Sequence, residues 1–106
     1  MINKIIMTGR LVKDPALKFS QAGKAVCFFC LAVNKNFENA EGQKEASYVD
    51  IVVFGKKAEN VGNALAKGQL IGIEGNLNTR VQEKDGVKNK ITEVILENFH
   101  FLEKKK

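Results

Sequence analysis

Few residues in this chain are suited to chemistry at a reactive centre, and their spacing narrows the choice. Its two cysteines, Cys27 and Cys30, enclose two phenylalanines in a Cys-Phe-Phe-Cys run. That is redox spacing. A working redox pair, however, exposes one thiol at a helix start, where the dipole lowers its pKa. Here both lie within AVCFFCLAVN, a branched and aromatic run that reads as a strand. Residues three apart on a strand point to opposite faces. The expectation is a core cysteine at Cys27 and a surface or interface thiol at Cys30. His100, the single histidine, lies between Phe99 and Phe101 and reads as structural. Two cysteines and one distant histidine make no zinc site. Neither a phosphate-binding loop nor a dinucleotide fingerprint is present. The chain therefore reads as a protein that is not an enzyme, with no metal and no cofactor.

Binding of nucleic acid asks for different residues: cations that follow phosphates and flat side chains on which bases stack. Phe37 sits in a polar run beside Lys35 and Lys44, where no core pattern explains it. Stacking and anchoring of the run onto the sheet both remain open for it. In SYVDIVVF, Val49, Ile51 and Val53 share one alternating face and suit a core. Tyr48, Asp50, Val52 and Phe54 share the other, so Tyr48 and Phe54 are expected to point outward, near Lys56. Phe28 also falls on an outward face, free or covered by another subunit. Arginine occurs only at Arg10 and Arg80. Arg80 ends a strand at a hairpin mouth, where it could pair with phosphate, stack on a base or stand in solvent.

The elements that must hold these residues follow from periodicity and turn signals. Residues 2–12 alternate as a strand, with Gly9 as a bulge or close-approach point. Asp14-Pro15 breaks it, Leu17 and Phe19 continue as a short extended piece, and residues 21–23 turn. Residues 25–34 form a strand, residues 35–46 a polar loop, and residues 47–54 another strand. Ala58, Val61 and Leu65 then recur at helical spacing within residues 56–67, and Gly68 stops the helix. Residues 69–80 return to strand, Lys84-Asp85-Gly86 reads as a hairpin turn, and residues 90–102 form the last strand, bent near Glu97-Asn98. A single short helix between the third and fourth of five strands is the pattern of an OB-fold, an all-β Greek-key barrel. An SH3-like barrel lacks a helix of this length there, although pattern alone leaves it open.

With 106 residues the chain is long enough for one modest core. The expected division is one domain over residues 1–102 and a disordered basic tail over 103–106. No apolar run approaches the ~18 residues of a membrane helix, so no membrane partner is expected. The N-terminus lacks a signal-peptide pattern, and the cysteine usage suits a reducing, cytoplasmic setting. Seventeen basic against twelve acidic residues give a net charge of +5. That balance fits either a lysine-rich solvated surface or an anionic partner.

The runs INKIIMTGRLVKDP, AVCFFCLAVN, YVDIVVFGKKAENV, AKGQLIGIEGNLNTR and ITEV follow one another at the spacings of bacterial single-stranded DNA-binding proteins, and the chain resembles that family over about residues 1–102. The resemblance implies an OB-fold, usually a homotetramer, that binds single-stranded DNA with little sequence preference. Such a protein protects the strand during replication, recombination or repair and is associated with the nucleoid. It places base-stacking aromatics at Phe37, Tyr48 and Phe54, and basic contacts at Lys4, Arg10, Lys56, Lys67 and Arg80. Gln82 stands where the family commonly has an aromatic, and tryptophan is absent. Many relatives continue into an acidic tip that recruits repair proteins. Here the sequence ends Glu103-Lys104-Lys105-Lys106, so that recruitment is not expected of this chain, whether it is naturally short or truncated. Two non-enzymatic alternatives remain: a primosome accessory protein of the same fold, and an OB-fold interaction subunit that does not bind DNA.

Overall fold

A computed structural model describes residues 1–103, except for the side chains of Asn36, Phe37 and Lys44. Its strands are β1 (Ile5–Leu11), β2 (Ala16–Phe19), β3 (Ala25–Glu38), β4 (Lys44–Phe54), β5 (Leu70–Lys84) and β6 (Val87–Phe101). The helix, α1, spans Lys56–Ala64. The sheet runs β1-β5-β6-β4-β3-β2, and a further β1–β3 pairing closes it. The closed ring is therefore the five-stranded barrel β1-β5-β6-β4-β3, with β2 appended outside it on β3. Among the barrel strands the helix falls between the third and fourth, as expected. Counting β2 moves it to between β4 and β5.

Alternation explains the closure. Ile51 and Val53 of β4 are buried, with Leu31 of β3, Ile71 and Ile73 of β5 and Val94 of β6. Branched side chains on every second position cover the barrel interior and leave the other face outside. Ala58 and Val61 of α1 and Leu65 beyond it bury against this core and plug one end. Burying a valine, leucine or isoleucine side chain contributes about 1.5–3 kcal/mol.

Gly9 marks where β1, still paired with β5, comes against β3. A Cβ there would lie 2.5 Å from the Ala32 carbonyl oxygen, so only glycine lets the two backbones approach. The β5–β6 hairpin turns through Asp85 and Gly86, both at positive φ, which gives a two-residue turn matched to the strand twist. The expected bend in the last strand is a register shift. Asn98 pairs with Glu74 and Leu96 with Gly75, leaving Glu97 as the extra residue.

Three expectations are corrected. The helix ends at Ala64, short of Gly68, and β5 runs past Arg80 to Lys84, so Arg80 does not end its strand. Residues 35–46 are not a long loop. β3 continues to Glu38 and β4 starts at Lys44, pairing across Glu38–Lys44 after an irregularity beyond Asn34. Asn39 forms the turn: its side-chain oxygen accepts from the N–H groups of Glu41 and Gln43, both at 2.9 Å. Local side-chain bonding of this kind replaces the apolar alternation that marks buried strands. Phe37 therefore belongs to a strand arm, and its side chain lies outside the described residues.

Candidate nucleic-acid interface

β4 carries the two aromatics on its outer face as its alternation requires. Tyr48 is 70% exposed and Phe54 54% exposed. They do not form one continuous platform. At about 3.3 Å per residue they stand roughly 20 Å apart, and Val52 between them is 2% exposed despite its outward position. The register supplies the reason: Val52 lies between Phe28 on β3 and Ile95 on β6. Three apolar side chains abreast shield the central one.

Phe28 thus fills the gap between Tyr48 and Phe54. It remains partly exposed, with the Lys18 ammonium 6.0 Å from its ring centroid, within reach of a cation–π contact. The sequence placed Phe28 outward but could not place it between the other two, because that depends on cross-strand register. Phe54 faces Val26 in register and borders a hollow of about 640 Å³ also lined by Ser20, Lys24 and Lys56. Lys56 opens α1 and is exposed, with no ion pair among the described residues.

At the other end of β4, Tyr48 pairs with Ala32, and Ala32 pairs with Arg10 of β1. Arg10 donates from Nη1 to the Gly68 carbonyl at 2.9 Å and to Glu103 at 3.1 Å. Lys67 adjoins Gly68; its backbone N–H donates to Asp14 at 2.8 Å while its side chain is exposed. Tyr48, Arg10 and Lys67 therefore gather on one side.

Arg80 stands apart, on β5. Its Nε donates to both carboxylate oxygens of Glu93, at 3.3 and 3.1 Å. It is paired on its Nε edge and still exposed to solvent. Lys4 is also engaged, 3.2 Å from Glu97 and 3.8 Å from Glu74. Gln82 is exposed two positions beyond Arg80 and pairs with Asn89.

The thiols do not face each other. Cys27 is fully buried and Cys30 half-buried on the outer face, and neither is in a disulfide. Burial raises the Cys27 pKa. Burial first, and then the negative charge of Asp50, raises that of Cys30. Neither thiol is activated as a nucleophile. Among the described residues no cluster of His, Cys, Asp and Glu has the makeup of a metal site, and no helix is long and apolar enough to cross a membrane.

A closed barrel with exposed aromatics and basic residues on its outer face has close counterparts. The model of the single-strand binding protein family matches residues 2–102. This chain belongs to that family. Among its members, single-stranded DNA-binding protein 1 of Staphylococcus aureus strain Mu50 is 48% identical over 99% of this chain and 68% of its own length. Single-stranded DNA-binding protein 3 of Listeria innocua is 46% identical over 99% of this chain and 66% of its own. The chain thus spans about two thirds of these single-strand binding relatives. In a solved complex of the Plasmodium falciparum SSB with single-stranded DNA, the protein superposes with a TM-score of 0.85 at 28% identity, covering 97% of this chain and 96% of that one.

Proposed function

We propose that this protein binds single-stranded DNA with little sequence preference, by stacking bases on aromatics and neutralising phosphates with lysine and arginine. The observation that carries this is the outer face of β4, where Tyr48 and Phe54 stand open to solvent. Every base has a π-face, so such a surface binds without reading sequence. Lys56 lies beside Phe54, and Arg10 and Lys67 gather near Tyr48. Phe37 on the β3–β4 arm, Arg80 on the β5–β6 arm and Lys4 complete the set of contacts. The names of the curated relatives, and the DNA in the solved complex, support this reading.

The same proposal extends to assembly and role. Ile6 and Phe28 are large apolar side chains left exposed on outer strand faces, as expected of a chain that self-associates as a homotetramer. Protecting exposed strands during replication, recombination or repair, in the cytoplasm and on the nucleoid, is the role that fits. Titration with oligo-dT, with light scattering on the same samples, tests both parts. Saturable binding by a tetramer supports them; no binding at moderate salt would leave an interaction subunit instead.

A further inference from the structure

Glu93 is 6% exposed although it projects from the outer face of β6. A buried carboxylate is costly unless its oxygens are paired. Asn78 donates from Nδ2 to Oε2 at 3.1 Å, and Arg80 donates from Nε to both oxygens. Asn78 and Arg80 follow each other on one face of β5, and Asn78 is the register partner of Glu93. The bridge therefore ties the root of the β5–β6 arm across both strands. The Arg80 side chain remains 45% exposed.

We propose that Glu93 is a positioning residue for DNA binding: it holds the Arg80 guanidinium by its Nε edge and so fixes its direction before a phosphate arrives. The inference rests on the proposed single-stranded DNA binding and adds a residue to it that touches no DNA. A guanidinium carries donors on more than one edge, so one acid can grip it while another anion binds. A long side chain already held in place loses less conformational freedom on binding. The sign of the effect separates this from simple electrostatics. If Glu93 acted only through its charge, removing it would strengthen binding, because a negative group leaves the neighbourhood of the phosphates.

The test is a double-mutant cycle on oligo-dT affinity, read against salt, with melting temperature measured on the same samples. Glu93→Gln keeps the shape and removes the charge. Positioning predicts about fivefold weaker binding and a shallower salt dependence, close to that of Arg80→Ala. In the Arg80→Ala background, Glu93→Gln then changes affinity by less than about twofold. Equal or tighter binding by Glu93→Gln alone, or the same loss with and without Arg80, overturns the proposal. Should Glu93→Gln fail to fold, Arg80→Lys decides: it keeps the charge but lacks the planar edge that Glu93 grips. Binding weakened as far as in Arg80→Ala supports positioning, and affinity equal to the unaltered protein refutes it. No binding by the unaltered protein would remove the DNA-binding reading itself, a result distinct from a failed cycle.

Discussion

Tyr48 and Arg10 flank Ala32 in one row across three strands, Tyr48 on β4, Ala32 on β3 and Arg10 on β1. Strand spacing puts the two outer residues about 10 Å apart, with only a methyl group between them. That spacing is between backbones; the Arg10 guanidinium itself is held by the Gly68 carbonyl and Glu103. The row exists because Gly9 lets β1 cross close against β3 at this point.

Tyr48→Ala and Phe54→Ala are each expected to weaken oligo-dT binding by about 1–3 kcal/mol, the usual worth of one stacked base. Both side chains are more than half exposed, so melting temperature should hardly move. A drop in melting temperature with affinity preserved in the folded fraction would make them structural instead.

Salt should separate the cations. Each phosphate neutralised on a single strand contributes a slope of about −0.7 in log affinity against log salt. Lys56→Ala and Lys67→Ala remove exposed lysines and should flatten the slope by about one contact each. Lys4 is already held by Glu97 and Glu74 and must leave them to reach a phosphate, so Lys4→Ala should flatten it less. A slope unchanged in all three would assign the lysines to a solvated face.

How much of this was legible beforehand depended on the kind of signal. Strict alternation in SYVDIVVF placed Tyr48 and Phe54 outward, and the spacing of Ala58, Val61 and Leu65 placed the helix, because each rests on local periodicity. The arm formed by the ends of β3 and β4 was misread as a loop. Its described residues bury little, and no apolar period in the sequence marks it. The position of Phe28 between the two aromatics and the grip of Glu93 on Arg80 arise from register between strands distant in sequence. No local pattern encodes that.

Gly9→Ala should destabilise the fold by about 1–3 kcal/mol, the usual cost of overpacking. The added Cβ would meet a backbone carbonyl at 2.5 Å and the Leu31 side chain at 2.9 Å. Denaturant titration reads this directly. Unchanged stability would mean that β1 and β3 can separate at their crossing without cost.

Acid should loosen the β3–β4 arm. Hydrogen bonds from Lys35 and then Asn39, with the charge of Lys35, hold the Glu45 carboxyl below its ordinary value. A lowered folded-state pKa contributes stability above the unfolded value, and that contribution is lost as pH falls through the folded one. Amide exchange in residues 38–45 should therefore become less protected as pH drops below the ordinary carboxylate range, after correction for intrinsic rates. The change should be absent in Glu45→Gln. An identical acid response in that variant would place its origin elsewhere.

If single-stranded DNA passes over the outer face of β4, as proposed, one residue reports on it without any label. The chain has one tyrosine and no tryptophan, so emission beyond that of phenylalanine comes from Tyr48. Stacking on a base should quench it as oligo-dT is added, saturating at a fixed ratio of nucleotides to protein. Duplex DNA, whose base faces are already covered, should leave it almost unchanged. Gel-shift binding to oligo-dT with tyrosine emission unaltered would contradict the account and move the strand away from Tyr48.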